Sequence, residues 1–274
     1  MARLDGKVVF ITGAARGQGR SHAVEMAKEG ASIIAIDICE QIPTVFYPMS
    51  TKDDLDETVR QVEAAGGRIV ARVADVRDRE SLKAALADGV AEFGRVDALI
   101  ANAGIMPLIN EGADDRAWFD GIDVLLTGVW HSIEATLPYL LEQGQGGSIV
   151  ITGSTSGNSG AGINRLPGMV SYSACKAGVV GLMRIYASKL TQDMIRVNVV
   201  HPTGVNTPMV VNNEHKSYTE QFPEIANDPM IKNPMPVDLV EPIDVTNAMI
   251  YLVSDEARYV TGSQLAVDAG FFNR

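Results

Sequence analysis

Six short runs of nearly continuous Val, Ile and Ala, at residues 7–12, 32–37, 68–74, 98–101, 148–152 and 195–200, alternate with longer segments of helical period. Strands that lack polar alternation are those buried on both faces, as in a parallel sheet covered by helices. The segments between them, 18–29, 53–65, 78–93, 117–142 and 171–191, read as helices. Gly30, Gly66, Gly67 and Gly94 stand where C-terminal caps belong, and Asp78 stands at an N-cap position. A last helix starts near Pro242, which suits a first helical turn, and leads to a final strand at 264–267. Strand–helix–strand order implies right-handed crossovers. The predicted fold class is therefore α/β, a doubly wound parallel sheet with helices on both faces. No fixed repeat and no Pro/Gly/Ser-rich linker divides the chain, so 1–274 reads as one domain.

Two segments break this rhythm. Residues 38–52 lie between the second strand and its helix, where connections of about 2–6 residues are usual. Residues 203–235 are rich in Pro, Met and Asn and show no clear period. The first holds Phe46 and Tyr47, the second Met209, Phe222, Met230 and Met235, so both are read as lids over a site rather than tails.

Composition narrows the function classes. With 46% hydrophobic residues the 274-residue chain can fill a sizeable core, which excludes global disorder. The net charge of −11 argues against a nucleic acid as partner, because phosphate neutralisation needs clustered Lys and Arg. No run approaches the roughly 18 apolar residues of a membrane span, and the first residues lack the pattern of a secretory signal. A soluble, cytoplasmic protein is expected. Cys39 and Cys175 are too few for a disulfide framework. His22, His131, His201 and His215 have no metal-ligand spacing, so no metal site is expected and surface or helix-packing roles are assigned to them.

Thr12-Gly13-Ala14-Ala15-Arg16-Gly17-Gln18-Gly19 joins the first strand to the first helix. Glycines there permit a tight turn and close approach to a pyrophosphate, which a helix N-terminus stabilises. A plain βα turn is the alternative reading. Asp37 closes the second strand, at the distance where an acidic residue binds ribose hydroxyls, with Ile38 beside it. A 2′-phosphate about 4 Å from that carboxylate would meet a repulsion of roughly 4 kcal/mol at an effective dielectric of 20. Arg16 pulls the other way, since it could pair with such a phosphate. NAD is the cofactor expected.

Tyr172 and Lys176 lie one helical turn apart on the same face. A phenol with an ordinary pKa near 10 is a poor base at neutral pH, but a nearby ammonium and a cationic nicotinamide ring would lower it. Tyr172 could then take the proton of an alcohol, while Ser154 stabilises charge developing on the same oxygen. The spacing alone is commonplace; it gains meaning beside the glycine turn.

Together these features resemble the short-chain dehydrogenase/reductase family along essentially the whole chain. Residues 12–19 match its TGxxxGxG, Asp75-Val76 its adenine-contacting Asp-Val, and Asn102-Ala103-Gly104 its NAG. Ser154 matches the catalytic Ser and Tyr172/Lys176 the YxxxK, while 202–207 resemble the PGxxxT stretch whose Val/Ile and Thr, here Val205 and Thr207, contact the carboxamide. The resemblance implies a Rossmann-type fold, hydride transfer between NAD(P) and an alcohol or carbonyl, a cofactor contact from Tyr172 and Lys176, and a homotetramer. The insertion 38–52, the stretch 201–209 and the wide gap from Ser154 to Tyr172 resemble the carveol-dehydrogenase-like, mycofactocin-coupled branch. That resemblance implies NAD kept under the insertion and reoxidised in place by a peptide-derived redox carrier, mycofactocin.

One position departs from the family pattern. Leu125 stands where an Asn is credited with ordering a relay water, so the catalytic set is read as Ser154, Tyr172 and Lys176. The expected activity is an NAD-dependent short-chain alcohol dehydrogenase acting on a small apolar, cyclic or terpenoid secondary alcohol. A ketone or aldehyde reductase with freely exchanging NAD(P)H, and a non-catalytic nucleotide-bound regulatory or scaffold protein, stay open at this point. Cys175 is assigned to helix packing, Cys39 to the adenine pocket wall, and Asp114-Asp115 to a helix start.

Overall fold

The computed structural model describes residues 2–107, 115–159, 166–221, 223 and 232–273. Strands β1 (Val8–Thr12), β2 (Ser32–Asp37), β3 (Ile69–Val73), β4 (Ala98–Ala101), β5 (Gly147–Thr152), β6 (Ile195–Pro202) and β7 (Gln264–Val267) form one sheet in the order β3-β2-β1-β4-β5-β6-β7. Every pairing is parallel. The chain order reverses between β1 and β4, the switch point where open α/β sheets leave a crevice beyond their strand ends.

The two-residue period of a strand sorts the core into two layers. Val8 and Phe10 pack with Ile34, Leu99 and Ile149 on one face; Val9 and Ile11 pack with Ile33, Ile100 and Val150 on the other. Helices α3 (Arg79–Phe93), α5 (Gly128–Gln143) and α7 (Pro167–Lys189), the last preceded by the single-turn α6 (Ser156–Ser159), cover the first face. Helices α1 (Gly17–Lys28) and α9 (Pro242–Val253) cover the second. The edge strands β3 and β7 are partly exposed, because each has a neighbour on one side only.

Four details depart from the sequence reading. The helix expected over 117–142 is two helices, α4 (Arg116–Ile122) and α5, joined by a π turn at Asp123–Thr127. Helix α7 begins at Pro167 rather than Ser171, with the proline in its first turn. The stretch 203–235 contains a helix, α8 (Asn213–Gln221); its sequence is polar throughout, so no apolar period could announce it. Phe222, Met230 and Asp114 lie outside the described residues, while Asp115 does precede α4. Finally, 38–51 forms no helix or strand, yet Ile42, Val45 and Tyr47 are core residues. It ends in a capping box, Thr51 with Asp54, that starts α2 (Lys52–Ala64).

The packing of α1 on α9 fixes the direction of the helix that carries the glycine turn. At its centre His22 is fully buried, with Nδ1 2.8 Å from the Thr246 hydroxyl. Burial lowers its pKa to about 3, so the native ring stays neutral. Between the ordinary value near 6.5 and about 3 the unfolded chain holds a proton that the native state does not. Stability is therefore full above pH 6.5 and falls as pH drops, by up to about 1.4 kcal/mol per unit from this residue. Urea titrations from pH 7 to 4 should show His22→Gln with a shallower slope than the wild type; an unchanged slope refutes the assignment.

Candidate active site

At the switch point the ends of β1 and β4 are tied together. Thr12 Oγ1 accepts from the Asn102 and Ala103 N–H groups at 3.1 and 3.0 Å, and Asn102 Nδ2 donates to the Thr12 and Gly13 carbonyls. The close approach needs glycine: a Cβ on Gly13 would stand 2.7 Å from Ala103 Cα, and one on Gly19 would stand 2.0 Å from the Gly13 carbonyl oxygen. The result is a groove of about 880 Å³ beside the N-terminus of α1, lined by the glycine turn, Asp37, Ile38, Asp75, Val76, Asn102, Ala103, Gly104 and Thr207. Gln18 Oε1 is buried there without a hydrogen-bond partner among the described residues. A glycine-lined floor, a helix N-terminus and an acidic rim fit a dinucleotide.

Asp37 lies almost buried at the end of β2. Its Oδ2 accepts from Ala15 N–H at 2.9 Å; its Oδ1 accepts from the Ser50 hydroxyl at 2.6 Å and from Cys39 N–H at 3.3 Å. Ser50 belongs to the insertion, and so do Ile42, Tyr47 and Met49, which wall the same groove. The insertion is anchored on three sides. The Arg16 guanidinium donates to the Pro48 carbonyl at 2.6 Å, Thr44 donates to Asp120 at 2.6 Å, and Tyr47 Oη accepts from Met106 N–H at 3.3 Å. Arg16, which the sequence left between a phosphate and solvent, is thus bonded to the insertion. Cys39 is not part of the groove wall, contrary to expectation; it adopts a left-handed backbone (φ 51°) just after β2, with its N–H donating to Asp37.

A second cavity of about 810 Å³ adjoins the groove and shares Gln18, Asn102, Gly104, Thr207 and Met209 with it. Ser154, Tyr172 and Lys176 all line it, as does Val205. Helix α7 carries Tyr172 and Lys176 one turn apart, with Lys176 Nζ 5.9 Å from the Tyr172 ring centroid. Lys176 is buried, donates to the Thr152 carbonyl at 2.6 Å, and has its pKa lowered to about 8 by burial. The Ser154 hydroxyl oxygen accepts from Ser156 N–H at 3.1 Å, which leaves its proton for another acceptor. In the free protein burial raises the Tyr172 pKa, and the Ser154 hydrogen bond works against that rise. The lowering by lysine expected from the sequence is not found: desolvation dominates, and the opposing effect comes from Ser154 rather than Lys176.

The rest of this cavity is mixed, with Thr152, Thr155, Ser156 and Thr203 among its polar lining beside an apolar patch. Met106, Leu125, Met169, Met209 and Val210 form much of its wall. Leu125 is fully buried in the π turn, and its Cδ2 stands 3.2 Å from the point a Gly104 Cβ would occupy, with Lys176 Nζ 3.9 Å from that same point. An apolar side chain thus stands against Gly104, in the cavity that Lys176 also lines, where the resemblance places an amide. Met106, Met169, Met49 and Ser50 escaped the sequence reading, since isolated residues in irregular segments carry no pattern. Among the described residues no cluster of His, Cys, Asp and Glu could hold a metal, and no helix is long and apolar enough to cross a membrane.

Comparison with known proteins places this geometry. The family model described as short chain dehydrogenase matches residues 7–217. The chain is 44% identical to a (−)-trans-carveol dehydrogenase of Rhodococcus erythropolis, over 98% of this chain and 99% of that one. It is 55% identical to an uncharacterised oxidoreductase of Mycobacterium tuberculosis, over 99% and 98%. Among solved structures, a carveol dehydrogenase of Mycobacterium avium in complex with NAD superposes with a TM-score of 0.91 at 45% identity, covering all of both chains. A short chain dehydrogenase of Mycobacterium paratuberculosis bound to NAD gives 0.88 at 42% identity, covering 99% and 100%.

Because Tyr47 is both groove wall and core, its removal has a stability readout. Tyr47→Ala should lower the unfolding free energy by roughly 3 kcal/mol, the scale for truncating a buried aromatic. A urea titration giving a loss under about 1 kcal/mol would mean the insertion is not part of the core.

Proposed function

The chain belongs to the short chain dehydrogenase family, and on that premise we propose that it oxidises an apolar, cyclic secondary alcohol of terpenoid kind held in the second cavity. It is an NAD-dependent oxidoreductase of the alcohol dehydrogenase type. The observation that carries the finer reading is the shared wall. Ser154, Tyr172 and Lys176 line a cavity with a Met, Leu and Val patch, and this cavity adjoins the glycine-turn groove across Gln18, Asn102, Gly104, Thr207 and Met209. Methionine and leucine walls suit a hydrocarbon ring better than a charged substrate. The (−)-trans-carveol dehydrogenase of Rhodococcus erythropolis, named for a cyclic terpenoid alcohol, supports the same class.

In this reading the cofactor is held by the backbone of Gly13, Arg16, Gly17, Gln18 and Gly19 at its pyrophosphate and by Asp37 and Ile38 at its adenosine ribose. Asp75 and Val76 hold the adenine, and Asn102, Ala103, Gly104, Val205 and Thr207 hold the nicotinamide end. NAD, when bound, supplies the hydride acceptor. Ser154 donates to the substrate oxygen and fixes it beside the phenol. Tyr172 removes the hydroxyl proton as the carbonyl forms. Lys176 binds the nicotinamide ribose, and its charge favours the phenolate. The Lys176 pKa of about 8 keeps most of that charge at neutral pH, even against the apolar face of Leu125.

The insertion supports a second level of this reading, in which NAD is retained between turnovers. Tethers from Arg16, Asp37, Met106 and Asp120 hold it across the groove, so release of the nucleotide requires several of them to part. A cofactor that stays in place needs reoxidation there, which suits a peptide-derived carrier such as mycofactocin.

Two measurements test these statements. Tyr172→Phe should lower turnover of carveol by about 10²-fold or more while leaving the fold intact, and a variant of near wild-type rate would remove the phenol from the mechanism. Purified protein should carry NAD through extensive dialysis, read from the extract by chromatography; loss of the nucleotide on simple dialysis, with steady turnover on added NAD, would point to free exchange.

A further inference from the structure

The main chain from Gly153 to Thr155 leaves β5 and hangs on the end of β6. Gly153 N–H donates to the Val200 carbonyl at 2.7 Å, and Thr155 N–H donates to the Pro202 carbonyl at 3.0 Å. The N–H between them, that of Ser154 itself, goes to a side chain: His201 Nδ1 accepts it at 3.2 Å. The imidazole is fully buried, and its Nε2 lies 3.2 Å from Gln264 Oε1 on β7. That oxygen also accepts from Asn158 Nδ2 at 3.5 Å, which sets the orientation of the Gln264 amide.

A neutral imidazole has one N–H and one bare nitrogen. With the proton on Nε2, both contacts are satisfied: Ser154 N–H into Nδ1, and Nε2–H into Gln264. With the proton on Nδ1, the bare Nε2 would face an oxygen, two acceptors opposed in a buried site. Nδ1–H would then turn to the Ser154 carbonyl, 3.1 Å away. Burial lowers the His201 pKa, which keeps the ring neutral. The ring is also clamped sterically. Phe272 meets it edge-on at 5.8 Å between centroids, and Gly153 leaves room for it, since a Cβ there would lie 2.6 Å from Nδ1.

We propose that His201 is a positioning residue for Ser154: its Nδ1 holds the Ser154 peptide so that the hydroxyl points at the substrate oxygen beside Tyr172. The chain Gln264–His201–Ser154 thereby links the exposed edge strand β7 to the reacting centre, and His201 itself touches neither substrate nor cofactor. The inference rests on the reading of Ser154 as the group that holds the substrate oxygen.

The test uses the NAD-loaded protein and carveol, with reduced nicotinamide read by its near-ultraviolet absorbance in a single turnover. His201→Leu keeps the bulk and removes the acceptor. Its rate should fall about ten- to a hundredfold, the scale of a small misplacement of a reacting group, with the half-saturating carveol concentration and the retained NAD changed by less than about twofold. His201→Asn puts Oδ1 where Nδ1 stood and should recover the rate to within about threefold of wild type. Gln264→Leu, on the surface, leaves the ring in place but frees its tautomer and should cost about threefold or more, which covers a His201→Leu protein that fails to fold. Ser154→Ala separates the two levels: a fast Ser154→Ala overturns the role of Ser154, whereas a slow Ser154→Ala beside a fast His201→Leu overturns the positioning. Side-chain ¹⁵N resonances decide the tautomer without turnover, even if carveol is not oxidised. A bare Nδ1 with a protonated Nε2 is expected, and the reverse overturns the proposal.

Discussion

The join between the ends of β1 and β4 organises the rest of the site. One threonine hydroxyl accepts two backbone N–H groups from Asn102 and Ala103, and one asparagine amide returns two bonds to Thr12 and Gly13. These four bonds satisfy backbone groups where the two strands diverge at the switch point of the sheet. They hold the glycine turn and the segment after β4 in a fixed relation, and both cavities share Asn102. Asn102, one of the five residues both cavities share, is thereby held in place.

Onto this frame the insertion adds a second roof. Its core residues, Ile42, Val45 and Tyr47, make it as much a part of the hydrophobic interior as of the groove. The two uses are linked physically, since Tyr47 and Ser50, which line the groove, also make two of the bonds that seat the insertion on Arg16, Asp37, Met106 and Asp120. An element anchored by both apolar burial and several hydrogen bonds opens less readily than a loop with exposed backbone. The same residues therefore serve both the groove wall and local stability.

Much of the frame was legible in the residues. Nearly continuous Val/Ile/Ala runs marked six strands to within about two residues, since burial on both faces of the central ones demands that composition, and the seventh followed from its place after the last helix. The glycine turn and the Tyr172–Lys176 spacing were legible because each is local, set by a tight turn and by one turn of helix. Less was legible where geometry depends on distant contacts. The π turn at Asp123–Thr127 breaks a segment of steady helical period, and nothing in that period marks the break. Helix α8 has no apolar face to reveal it. His201 reads as one more isolated histidine, since its partners Ser154 and Gln264 lie 47 and 63 residues away in sequence.

By itself the sequence determined the alternating layers, the family of the chain, the acidic residue at the end of β2, and the pair on one face of α7. Each follows from residue type and spacing within a few turns of chain. The tertiary structure alone decided that Leu125 packs against Gly104 beside Lys176, that Arg16 is bound to the insertion, and that desolvation raises the Tyr172 pKa in the free protein. It also decided that an imidazole from β6 holds the Ser154 peptide. These are relations between groups far apart in the chain, and only the closing of the sheet brings them within reach of one another.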